Sequence, residues 1–173
     1  MSEGISLPPV ARFTLLPEDE RLARLDRAAP QIRAALEGET DEVAAQATLA
    51  CLLYETLVQS NWCGFYRRTG PRLLTVGPYQ GTMGCLRIDL DRGVCGAAAR
   101  EARTVLVPDV EAFPGHIACD SASRSELVIP VLARGEVRAV LDLDSPHLGA
   151  FGEREARALE ALLAGCLRDV RWP

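Results

Sequence analysis

ELVIPVLARGEVRAVLDLD, residues 126–144, decides the fold. Glu126 to Leu132 and Val137 to Asp144 are apolar, β-branched-rich runs, and Ala133-Arg134-Gly135-Glu136 between them carries a glycine turn. Two such runs joined by so short a turn predict an antiparallel hairpin. In the second run Asp142 and Asp144 alternate with Leu141 and Leu143, so a strand puts both carboxylates on one face. Like charges on an otherwise apolar strand are costly unless they are exposed or employed. Glu126 opens the partner strand, so three carboxyls are expected to converge at one rim. The plain alternative is the solvated face of a strand.

Immediately upstream lies PDVEAFPGHIACDSASRSE, residues 108–126. Pro108, Pro114 and Gly115 oppose any long helix or strand across it. Long irregular segments inside compact domains are usually functional or disordered. Cys119 stands in the middle and is read as a nucleophilic thiol, against the usual fate of a lone cysteine, burial without reactivity.

Composition bounds the function. A chain of 173 residues with 48% hydrophobic content is expected to be one globular, soluble domain with a substantial core. A net charge of -5 and a pI near 5.1 oppose nucleic-acid binding. No apolar run approaches a membrane span, and MSEGISLPPVARF has no signal-peptide pattern, so no membrane partner and a cytoplasmic location are expected. Six cysteines in 173 residues fall well below the roughly 8% of a disulfide scaffold.

Residues 1–37 are read as an irregular N-terminal arm followed by two short helical pieces, 17–30 and 31–36. Thr40 is expected to cap a helix running to Ser60, with Val43, Ala47, Ala50, Cys51, Tyr54, Leu57 and Val58 on its buried stripe. NWCGFYRR, 61–68, has aromatics at a period of two and predicts a strand. Trp62, Gly64 and Tyr66 share one face, and Cys63 and Phe65 the other. Leu73–Gly77 is the returning strand, GPYQG a turn, 85–90 a short strand, 94–101 a short helix and 104–107 a strand. Phe151–Val170 closes the chain as an amphipathic helix. The order implies an α+β domain with one antiparallel sheet and its terminal helices on one face. Cys51 and Cys166 are expected in the core, and Cys63 to serve packing.

NWCGFY, GPYQG, RGVCG, VPDVEAFPGHIACDSAS, SELVIP and VLDLDSP together resemble the GAF-fold free methionine-(R)-sulfoxide reductases. The resemblance covers about residues 38–165. It implies a GAF-like fold with a central antiparallel sheet of about six strands, 38–173 forming a single catalytic domain. It further implies reduction of free methionine-(R)-sulfoxide, recycling by thioredoxin, no cofactor, and pairing of the terminal helices in a homodimer.

That chemistry needs a thiolate to attack sulfur, an acid to protonate the departing oxygen, a methyl pocket and a second thiol to resolve the sulfenic acid. Cys119 is the candidate attacker. The resolving thiol is Cys85 or Cys95 by position; the resemblance implies a Cys85–Cys119 disulfide with Cys95 auxiliary. It also places Trp62, Tyr66, Glu126, Asp142 and Asp144 around the substrate. Crowded carboxyls raise one another's pKa, so Asp142 or Asp144 is the expected proton donor, with Glu126 in the same network. Trp62 and Tyr66 would wall an apolar slot for the S-methyl group; core packing is their plain alternative. His116 with Cys85, Cys95 and Cys119 offers soft zinc ligands, but no C-x-x-C spacing supports a metal, so none is expected. His116 is otherwise a structural turn residue. A ligand-sensing module without turnover is the competing class, since this fold hosts many functions.

Overall fold

The computed structural model describes residues 5–117 and 119–173. Residues 1–4 of the expected arm, and Ala118 in the central loop, lie outside them. The elements run α1 (Glu18–Ala35), α2 (Glu42–Thr56), β1 (Trp62–Gly70), β2 (Leu73–Gly81), β3 (Arg87–Asp89), α3 (Gly93–Glu101), β4 (Val105–Val107), β5 (Ser125–Ala133), β6 (Glu136–Ser145) and α4 (Glu153–Cys166). The strands form one six-stranded sheet in the order β3-β2-β1-β6-β5-β4, antiparallel at every pairing.

The 126–144 hairpin supplies two interior strands of this order, β5 and β6. Leu132 pairs with Val137 and Ala133 with Glu136, leaving Arg134 and Gly135 as the loop, at φ 54° and 79°. Positive φ at both loop residues is the primed turn whose twist suits a hairpin. Leu127, Ile129, Leu141 and Leu143, with Cys63 and Phe65 of β1, face α1, α2 and α4 in the larger apolar cluster. Trp62, Tyr66, Val128 and Val140 face the opposite way, with α3 across part of that second face.

Several elements differ from the sequence reading, each for a packing reason. The first helix is continuous through Pro30. A proline there removes one intrahelical hydrogen bond, but Leu25, Ala28 and Ile32 on both sides of it bury into the same core, and tertiary packing overrides the local cost. In α2 the cap is Asp41, whose carboxylate accepts from the Ala44 N–H at 2.8 Å, rather than Thr40. Its buried residues are Ala45, Gln46, Leu49, Ala50, Leu53 and Thr56, while Val43 and Ala47 are exposed. EVAAQATLACLLYET is apolar nearly all round, so polarity does not specify a face; the sheet does. Cys51, expected in the core, is accordingly exposed, whereas Cys63 and Cys166 are buried. GPYQG is not a turn: β2 continues through it to Gly81, with a bulge where Gly64 faces Tyr79 and Tyr66 faces Val76. β3 is shorter than residues 85–90, and α4 ends at Cys166.

One buried ion pair fastens α1 to α4. The Arg21 guanidinium donates from Nε to Glu155 Oε1 and Oε2 at 3.0 Å and from NH2 to Oε2 at 2.7 Å. Gln59 and the Gly152 N–H also donate to this carboxylate, at 3.2 Å each. Glu155 is fully buried and Arg21 nearly so. Removing one partner of such a pair strands the other charge, at about 3–5 kcal/mol. Glu155→Ala should therefore lower the urea midpoint by that much stability, and Arg21→Met with Glu155→Leu should recover most of it.

Candidate active site

The strand registers collect one set of side chains on the face that α3 partly covers. On β1 these are Trp62, Gly64 and Tyr66, and their partners on β6 are Asp144, Asp142 and Val140. On β5, Glu126 pairs with Asp144 and Val128 with Asp142. The period of two puts all of these on one side. The aromatics and the three carboxyls expected at the rim thus lie on adjacent strands.

The Trp62 ring stacks between two tyrosines. Its centroid is 5.6 Å from that of Tyr66 and 5.1 Å from that of Tyr79, with planes 19° and 15° apart. Gly64 makes this possible: a Cβ there would stand 2.2 Å from Tyr79 Cβ and 2.8 Å from the Trp62 ring. Trp62 Nε1 donates to the Thr82 carbonyl at 3.0 Å. That bond anchors the segment after β2, which carries Cys85.

The carboxyls are held out of water. Glu126 and Asp142 are each 6% exposed, and Asp144 is partly open to the pocket. Burial raises all three, and the Asp142 charge adds to the rise at Glu126 and Asp144. Asp142 is pushed up to about 7, with Cys95 and Glu126 beside it restraining the rise. Asp142 Oδ1 is buried without a hydrogen-bond partner. Among the described residues the one basic side chain in ion-pair range of the three is His116, whose Nε2 stands 3.7 Å from Glu126 Oε2. Burial lowers the His116 pKa, so it is neutral near pH 7.

Cys85 and Cys119 are joined by a disulfide, S–S 2.02 Å and Cα–Cα 5.3 Å. It ties the segment after β2 to the central loop. Cys95, on α3 and buried, directs its thiol at Glu126 Oε1, 4.0 Å away. Burial and the neighbouring charges of Asp142 and Glu126 raise its pKa well above normal, so it is a neutral thiol here and a poor nucleophile.

Trp62, Tyr66, Cys95, Cys119, Glu126, Asp142 and Asp144 line one pocket of about 30 Å³, room for a water or two. Cys95 Sγ and one oxygen each from Glu126 and Asp142 lie within 4.8 Å of one another. These are donor types that bind zinc, but among the described residues the group has no fourth member. The four-ligand set of His116, Cys85, Cys95 and Cys119 is not available in this state, because two of its thiols are bonded to each other.

Sequence reading missed Tyr79, which it put in a turn on the strength of Gly77-Pro78. It gave no role to Asn61, Thr82, Asp120 and Ser123, which form a network. Asn61 Nδ2 donates to Asp120 Oδ2 at 3.0 Å and to Ser123 Oγ at 3.3 Å, and Thr82 Oγ1 donates to Asp120 Oδ2 at 2.6 Å. Polar residues in loops, far apart in the chain, carry no pattern that announces such a network.

The GAF domain family matches residues 18–164. The chain is 42% identical to the free methionine-R-sulfoxide reductase of Escherichia coli over 131 residues, 76% of this chain and 79% of that one. Its fold superposes with a TM-score of 0.82 on the free methionine-R-sulfoxide reductase of Neisseria meningitidis, solved in complex with its substrate, at 40% identity over 92% of this chain and 94% of that one. It matches the substrate complex of the Staphylococcus aureus fRMsr with a TM-score of 0.79, at 35% identity over 84% and 94%.

The raised carboxyl of Asp142 sets a pH dependence. The folded protein keeps its proton up to about pH 7, while the unfolded chain releases it near roughly 3.9. The folded state binds more protons between those values, so this group costs stability as pH rises across that window. In urea unfolding of the disulfide form from pH 4 to 8, Asp142→Asn should gain stability relative to the parent as pH rises, and level off above about pH 7.

Proposed function

The chain belongs to the GAF-domain free methionine-(R)-sulfoxide reductases, and from that premise we propose that it reduces free L-methionine-(R)-sulfoxide to methionine by thiol chemistry. One observation carries the reading: the Cys85–Cys119 disulfide lies at a pocket walled by Trp62, Tyr66 and three protonatable carboxyls. Acids that hold protons near neutral pH, aromatics that accept a methyl group and a redox pair of thiols are the parts that sulfoxide reduction requires.

Cys119, as thiolate, attacks the sulfoxide sulfur. Asp142 or Asp144 delivers a proton to the oxygen, with Glu126 in the same network. The oxygen passes from the methionine sulfur to Cys119, leaving methionine and a cysteine sulfenic acid. Cys85 then displaces that oxygen as water and the disulfide forms. Cys95 is the auxiliary thiol. Trp62 and Tyr66 hold the S-methyl group, and the carboxylates bind the ammonium of the free amino acid. A dithiol reductant of the thioredoxin class returns both cysteines to thiols, in keeping with a cytoplasmic location. Residues 38–173 form the catalytic domain, 1–37 are an N-terminal arm and helix packed on it, and the terminal helices pair two copies as a homodimer.

In this scheme the disulfide form follows product release, and its pocket of about 30 Å³ leaves no room for an amino acid. Substrate enters only after the bond between the two loops is cut.

Reduced enzyme with thioredoxin, thioredoxin reductase and free methionine-(R)-sulfoxide should consume NADPH, and Cys119→Ser should abolish this. Cys85→Ser should release about one methionine per chain and then stall. A parent protein that binds the sulfoxide, seen as a shift in Tm, yet consumes no NADPH would instead be a sensor.

A further inference from the structure

The two cysteines sit on irregular segments, and the disulfide is not the only link between those segments. Cys85 follows β2 and Cys119 stands in the loop before β5. Thr82 is three residues from the first and Asp120 is next to the second. Their hydrogen bond, Thr82 Oγ1 to Asp120 Oδ2 at 2.6 Å, spans the same gap as the disulfide. Among the described residues it is the one hydrogen bond between 82–86 and 113–124.

The network behind this bond is fixed to the sheet. Asn61, buried, donates its amide to the same Asp120 oxygen, and its backbone N–H is bonded to the Asp144 carbonyl at 2.9 Å. Asp120 Oδ1 accepts from the Ala122 N–H at 2.9 Å and shapes its own turn. The Thr82 carbonyl is held by Trp62 Nε1. Each cysteine segment thus has an anchor on β1 or its leading residue, and Asp120 bridges the two anchors.

We propose that Asp120 is a positioning residue for disulfide formation, keeping the Cys119 loop against the Cys85 segment so that the resolving thiol meets the sulfenic acid. This rests on the roles given above to the two cysteines. In the step concerned, the Cys85 sulfur attacks the Cys119 sulfur, the S–S bond forms, the S–O bond breaks, and the Cys85 proton leaves with the oxygen as water. No outside oxidant is consumed. Holding two reacting groups in register raises their effective concentration, and each segment carries no regular secondary structure at its cysteine to do so. Hydrogen bonds from Thr82 and from the Ala122 N–H lower the Asp120 pKa, so it stays an ionised acceptor throughout the range in which thiols react.

The test is a single turnover. Reduced protein receives one equivalent of free methionine-(R)-sulfoxide, and methionine, disulfide and dimedone-trapped Cys119 sulfenic acid are followed in time. Asp120→Ala and Thr82→Val should release methionine at the parent rate but form the disulfide at least about tenfold more slowly, with the dimedone adduct accumulating. Thr82→Ser, which keeps the hydroxyl, should restore the parent rate. Thr82 is exposed, so its variants read the bond even if Asp120→Ala folds poorly. Disulfide formation at the parent rate in Asp120→Ala and Thr82→Val would overturn the proposal. So would methionine release slowed in step with the disulfide, which would make Asp120 a substrate contact or a structural prop. If the parent releases no methionine, the proposed function fails by itself. The Thr82–Asp120 bond is then read with hydrogen peroxide as the oxidant of Cys119.

Discussion

Glu126 and Asp142 are buried and Asp144 half-buried on one face of a sheet, and among the described residues no arginine pairs with them. Taking an unpaired carboxylate out of water costs several kcal/mol, and the group escapes that cost by keeping its proton. The protein thus stores acid near neutral pH at one place. The arrangement holds only because the sheet cannot relax. Strand registers fix the three groups relative to one another, and on the reverse face α1, α2 and α4 bury the larger apolar cluster. Stability is concentrated on one side of the sheet, and chemistry on the other.

The division extends to the reacting groups. The three carboxyls and the aromatics stand on adjacent strands, whose pairing fixes their relative positions. The sulfurs of Cys85 and Cys119 stand on irregular segments, joined in this structure by the disulfide and by the Thr82–Asp120 hydrogen bond. Cys95, on a helix and facing Glu126, belongs by its setting to the acid cluster more than to the disulfide. The Asn61–Asp120–Thr82 network lies between the strands and the two cysteine segments, and links them by hydrogen bonds beside the disulfide.

The sequence carried some of this plainly. Strict alternation in NWCGF and VLDLD separates Trp62, Asp142 and Asp144 from Cys63, Leu141 and Leu143, and the sheet obeys it. The Arg134-Gly135 loop is legible because its backbone demands positive φ. Where the pattern was uninformative, reading failed. α2 is apolar on nearly every side, so of its expected stripe Ala50, Leu57 and Val58 are buried while Val43, Ala47 and Cys51 are exposed. Pro30 and GPYQG look like breaks locally, yet one is absorbed in a packed helix and the other in a bulged strand.

The chain alone determined which residues can share a face, because side-chain periodicity is a property of the local backbone. It also supplied the inventory: thiols in irregular segments, acids on a strand, aromatics at a period of two. Only the tertiary structure decided which faces meet. Pairing β1 with β6 and β6 with β5 brings Trp62, Asp142 and Glu126 together. Packing brings Cys85 and Cys119 within bonding distance across 34 residues, and Asp120 under Thr82 across 38. Those proximities depend on the whole core closing at once, and no local window of sequence encodes them.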